Sequence, residues 1–140
     1  MSIRSSKNEQ AMAIVADLNA VHSDVIRIMR DLYGDRLNKI ILYGSYARGD
    51  FHDESDIDYL VVLNDTNVSA FREVATIAPA LYKAFSDSEI DVSVFAVSKQ
   101  QLMTSTLFFY RQVRKDGICI YERPCAHFCH PDVGGIFGDR

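Results

Sequence analysis

Apolar side chains recur at Met12, Ile14, Val15, Leu18, Val21, Val25, Ile26, Met29 and Leu32, close to the three- and four-residue spacing of one helix face. The pattern predicts a long amphipathic helix over 6–33. Ser6 with Glu9 forms a capping-box pattern at its start, and Gly34 suits the left-handed residue that closes it. The period then changes. Lys39 to Tyr43 is short, partly β-branched and apolar on both faces, as a buried strand requires. Ile57 to Leu63 is a second run of strand length, stopped by the turn-forming cluster Asn64 to Asn67.

Helical spacing returns over Ser69 to Phe85, with Pro79 placed to bend or divide that helix. Ile90 to Val97 alternates, which sets Asp91, Ser93 and Phe95 on one face and Val92, Val94 and Ala96 on the other. Gln100 to about Arg114 is predicted helical, and Ile118 to Tyr121 a short last strand. This order of elements predicts an α/β (α+β) domain, a small mixed sheet of three to four strands flanked by helices. The domain is expected over 1–123, with its core at 37–121. From Pro124 the sequence turns rich in Gly, Pro, Cys and His without a period, and 124–140 is expected to be a loosely ordered tail.

Composition narrows the function. With 140 residues the chain can bury one core, so one site is sought. A net charge of −4 and the lack of a Lys/Arg run remove the footprint of a dedicated nucleic-acid binder, so direct nucleic-acid binding is not expected. No apolar stretch approaches the length of a membrane span, and MSIRSSKNEQ has no apolar signal core. Cys119, Cys125 and Cys129 do not form a disulfide framework. A cytoplasmic location with reduced thiols is the expectation.

Candidate chemistry concentrates in GSYARGDFHDESDID, residues 44–58. At the opening of the second strand, the period of two puts Asp56 and Asp58 on one face, where they repel unless a cation offsets them. Hard oxygen ligands of this kind suit Mg²⁺. Asp91 is a third carboxylate at the start of a later strand; beside the first two it would make a site for two metal ions, the kind that supports phosphoryl or nucleotidyl transfer. Gly44 allows close approach of backbone to a ligand, and Ser45 brings a hydroxyl and an N–H to the start of a helical turn over Ser45 to Arg48. Arg48 adds a cation, and Gly49 turns the chain back. The ten residues between Ser45 and Asp56 are expected to set the separation of the two halves. Each motif alone has a plain alternative: a solvated strand opening for Asp-x-Asp and for Asp91, a loop for Gly-Ser, a solvated side chain for Arg48.

Taken together, the strand, the GS pair, the DID opening a second strand and the Asp of IDVSVF resemble the polymerase-β-type nucleotidyltransferase superfamily. The wording GSYARG and SDIDYLVV is similar to the minimal nucleotidyltransferases. That resemblance implies a palm-like fold, with Gly44, Ser45 and Arg48 binding nucleotide, and Asp56, Asp58 and Asp91 as catalytic and metal-binding residues. ATP would be the substrate and Mg²⁺ the cofactor, in one or two ions. The absence of an acceptor domain resembles the antitoxin of HEPN/MNT toxin–antitoxin pairs, of type VII kind. There AMP passes to a tyrosine of a HEPN ribonuclease toxin. A non-catalytic antitoxin that acts by occlusion, and an enzyme with a small-molecule acceptor, are the alternatives.

Three other features stay open. Cys125, His127, Cys129 and His130 have zinc-ligand types without the usual two-pair spacing. The run Leu107 to Tyr110 packs on the core or meets a partner, with core packing the simpler expectation. His22 and His52 are expected at the surface, His52 close enough in sequence to approach a nucleotide.

Overall fold

The structure is a computed structural model that describes residues 5–52, 56–88 and 90–124, with side chains from residue 18 onward. Helix α1 (Ser5–Tyr33) ends at Gly34, whose φ of 52° lies in the left-handed region, and a single 3-10 turn leads into strand β1 (Leu37–Tyr43). The Ser6–Glu9 cap falls among side chains that are not described. A four-residue helix α2 (Ser45–Arg48) separates β1 from β2 (Ile57–Leu63). Then come α3 (Ala70–Phe85), β3 (Val92–Ser98), α4 (Lys99–Thr104), α5 (Phe108–Asp116) and β4 (Ile118–Glu122).

The sheet has four strands in the order β3-β2-β1-β4. β1 runs antiparallel to both β2 and β4, while β2 and β3 are parallel. A parallel pair needs a crossover, and α3 supplies it. The mixed α/β sheet expected from the sequence is the fold observed, with the two central strands buried throughout their apolar positions.

Alternation divides the side chains between two faces. One face carries Ile40, Leu42, Tyr59, Val61, Leu63, Val94 and Ala96 and is covered by Val21, Val25, Ile28, Met29 and Tyr33 of α1 and Ile77 of α3. The other carries Ile41, Leu60, Val62 and Val97, covered by Leu102 of α4 and by Tyr110 and Val113 of α5. Leu32, expected on the buried stripe of α1, is instead 37% exposed, because Tyr33 takes the inward position next to it. The Tyr33 hydroxyl donates to Glu73 Oε1 at 2.7 Å, and Arg36 lies between Glu73 and Asp65, so the buried carboxylate of α3 is both hydrogen-bonded and ion-paired.

Two helices differ from expectation. α3 continues through Pro79 as one element. Its start is capped by Ser69, whose hydroxyl accepts from the Arg72 N–H at 3.3 Å. The single helix expected over 100–114 is two. Thr104 returns its hydroxyl to the Gln100 carbonyl at 2.8 Å, and Ser105 accepts from the Leu107 N–H at 3.3 Å. Thr104 and Ser105 thus compete with the helical ladder for backbone groups at the break. Arg114 Nη1 donates to the Leu102 carbonyl at 2.6 Å and ties the second helix back to the first.

Candidate active site

The site is built where β1 ends and β2 begins. Antiparallel register sets Tyr43, the last residue of β1, opposite Asp58. Immediately after it, Gly44 has φ 78° and ψ −155°, a backbone region essentially closed to residues with a Cβ. A Cβ there would also collide with Asp58 Oδ2. The turn and the carboxylate are therefore in direct van der Waals proximity, and glycine alone permits it. The Gly44 carbonyl accepts from the Ala47 and Arg48 N–H groups, both at 3.1 Å, starting the helical turn expected at Ser45. Gly49, with φ 87°, reverses the chain after Arg48. Tyr46 and Phe51 stack at 4.3 Å between ring centroids and brace the returning loop.

Strand pairing brings the two halves together. Asp58 shares its face with Leu60 and Val62, the side covered by α4 and α5. On the neighbouring strand its register partner is Ser93, and the Ile57 N–H donates to the Asp91 carbonyl at 2.9 Å. Asp91 thus stands beside Asp56 at the mouth of the parallel pair. Among the described residues, however, no three His, Cys, Asp or Glu side chains gather closely enough to hold one ion. Asp91 itself lies one residue before β3 and is exposed.

Electrostatics single out Asp58. Burial pushes its carboxyl above the usual range, the Asp56 carboxylate pushes it further, and Arg48 pulls it back. Two like charges, one of them half-buried, make a donor set that a hard divalent cation such as Mg²⁺ fits. Arg48 also pairs with Asp50 at 3.2 Å on the surface. Tyr43, which the sequence did not mark, belongs to this environment: burial and then Asp58 push its phenol well up. Its position directly before the Gly-Ser pair was the available signal.

His52 is exposed. His22 is not the surface residue expected: it is half-buried under the sheet, its Nδ1 2.6 Å from the Tyr59 hydroxyl. Burial holds its imidazole below the usual range. Of the aromatic run, Tyr110 is buried, while Leu107, Phe108 and Phe109 are 63, 71 and 39% exposed, so core packing accounts for only part of it. The Cys/His cluster of the tail lies outside the described residues.

The sequence profile of the polymerase beta nucleotidyltransferase family matches residues 24–125, and the chain belongs to that family. A candidate protein adenylyltransferase of Methanocaldococcus jannaschii is 51% identical over 39 residues, 28% of this chain and 39% of that protein. The chain spans between 39 and 55% of the length of the curated relatives it matches. Among solved structures, a chain of a toxin–antitoxin complex with AMP-PNP superimposes with a TM-score of 0.51 at 27% identity, 73% of each chain being covered. A chain of a point mutant of the toxin–antitoxin MntA-HpeT gives a TM-score of 0.52 at 26% identity, with 72% of each covered.

Proposed function

We propose that this protein is the antitoxin of a type VII-like pair and transfers AMP from ATP to a hydroxyl, a tyrosine phenol, of a HEPN-type ribonuclease toxin. The observation that carries the reading is the packing of the Gly44 turn against the Asp58 carboxylate. A phosphate-binding backbone and a carboxylate pair are adjacent, as transfer at an α-phosphorus demands. Likeness to chains from toxin–antitoxin complexes, one solved with an ATP analogue, supports the choice of nucleotide and partner. Among the described residues no helix is long and apolar enough to cross a membrane, and the reading places the activity in the cytoplasm. The working unit is residues 1–123, with 124–140 as its tail.

In this reading Gly44 and Ser45 seat the phosphates, and Arg48 exchanges Asp50 for a phosphate oxygen. Asp56 and Asp58 would hold Mg²⁺, which when bound would supply positive charge against two carboxylates and the polyphosphate. The acceptor oxygen forms a bond to the α-phosphorus as the bond to the bridging oxygen breaks, and pyrophosphate leaves. A phenol of pKa ~10 must lose its proton, and Asp91, exposed at the mouth of the strands, accepts it.

The test is incubation of the purified protein with Mg²⁺, α-labelled ATP and the HEPN toxin, followed by mass-spectrometric mapping. Label on a toxin tyrosine is expected. A tight complex without label overturns the transfer and leaves occlusion as the mode of neutralisation.

A further inference from the structure

The face of the sheet that carries Asp58 is only partly covered. Leu107 and Phe108, at the start of α5, are 63 and 71% exposed; Met103 of α4 is 55% and Phe95 of β3 43% exposed. Strand alternation puts Phe95 on the same face as Ser93, the register partner of Asp58. These are large apolar side chains left in water on the elements that cover one face of a small sheet, an arrangement that marks an interaction surface. The surface is physically joined to the active site. Phe109 meets the Tyr43 ring edge-on at 5.4 Å, and Tyr43 is paired with Asp58 across β1 and β2. Its electrostatics differ from those of the whole chain: from Lys99 to Asp116 there are four cations, Lys99, Arg111, Arg114 and Lys115, against the single carboxylate of Asp116, in a protein of net charge −4.

We infer that the α4–α5 face, centred on Leu107 and Phe108, is the docking surface for the protein acceptor, a partner that presents an apolar patch rimmed by carboxylates. The inference rests on the proposed transfer and specifies where its macromolecular substrate lands. A small-molecule acceptor has no use for apolar surface outside the nucleotide site. A protein acceptor must bring its hydroxyl to the Asp56–Asp58 side of the sheet, and α4 and α5 are what it meets there. Leu107 and Phe108 provide the buried centre of the contact, while Arg111 and Lys115 steer the approach. The second exposed aromatic pair, Phe71 and Tyr82 at 87 and 75%, belongs to α3, which packs on the opposite face, and serves as the internal control.

The experiment measures transfer to the HEPN toxin as a function of toxin concentration. The Leu107→Ser/Phe108→Ser double variant is expected to raise the KM for the toxin by ~10-fold or more with kcat changed by less than about two-fold, because the loss falls on binding. Phe71→Ser is expected to leave both constants unchanged. Charge reversal at Arg111 and Lys115, in a separate protein, is expected to weaken the toxin by ~10-fold at low salt and to flatten the salt dependence. Wild-type kinetics in the double variant and the charge-reversed protein, or an equal loss in Phe71→Ser, overturn the docking surface. Should the wild type bind the toxin without labelling it, the transfer fails. Calorimetry on the same variants then judges docking separately: weaker binding in the double variant alone supports it, and unchanged binding overturns it. A wild type that neither binds nor labels the toxin overturns both.

Discussion

The two faces of the sheet are finished to different degrees. On the α1–α3 face, Val25, Met29, Ile40, Tyr59, Val61, Leu63 and Ile77 are essentially without solvent contact. On the α4–α5 face a smaller cluster of Ile41, Leu60, Val62, Leu102, Tyr110 and Val113 shares the surface with ionisable Asp58 and with aromatic groups in water. One face is sealed, and the other is left partly open to solvent. A carboxylate held above its usual range is destabilising, and it persists here because the sealed face supplies stability elsewhere.

The difference can be broken most sharply at Asp58. Asp58→Asn is expected to lower transfer by ~10³-fold, about 4 kcal/mol in the barrier. It should keep or raise the melting temperature, since it removes a repulsion. Radiolabel transfer with a thermal melt on the same sample checks both, and a melt that collapses would mean the carboxylate belongs to the fold. On the sealed face the order reverses. Ile77→Ala should cost about 3 kcal/mol in denaturant unfolding by leaving a cavity, with transfer intact in the folded fraction. Gly44→Ala bridges the two: forced into a glycine-only backbone region, it should lose about 2 kcal/mol of stability and, by displacing Asp58, most of its activity.

Smaller effects follow at the hydrogen bond under the sheet. Tyr59→Phe leaves the half-buried His22 ring without its partner and should cost about 1 kcal/mol in urea unfolding. The same histidine gives a pH dependence. Because burial lowers its folded pKa, the unfolded chain protonates first as pH falls, so this contribution to stability is full above pH ~6.5 and declines below it. His22→Gln should flatten that part of the stability–pH curve; an unchanged slope would assign the pH dependence to other groups. Phe71→Ser should change stability by less than about 0.5 kcal/mol.

Much of this arrangement was legible in the sequence because it is governed by local rules. Periodicity located α1, β1, β2 and α3, alternation placed Ser93 and Phe95 on one face of β3, and the Gly-Ser pair announced a turn. Long-range packing was not legible. Nothing local says that His22 meets Tyr59, 37 residues away, or that Tyr33 displaces Leu32 from the inward position by reaching Glu73. The split between α4 and α5 was written in Thr104-Ser105-Thr106 and lost to the stronger apolar signal around it. Nor is the exposure of Asp91 legible from spacing, because it depends on where β3 begins, one residue later.

The pairing of Tyr43 with Asp58 bears on how the protein tolerates changes in length. Chain added or removed between Gly49 and Asp56 leaves the pairing of β1 with β2 untouched, so the length there is free to drift. A single residue inserted within β2 before Leu60 would exchange the two faces of that strand beyond it, turning apolar side chains outward or carrying Asp58 to the sealed side. Insertions across 49–63 should therefore divide abruptly at the start of β2, and a scan of single-residue insertions would draw that boundary without altering any side chain that touches substrate.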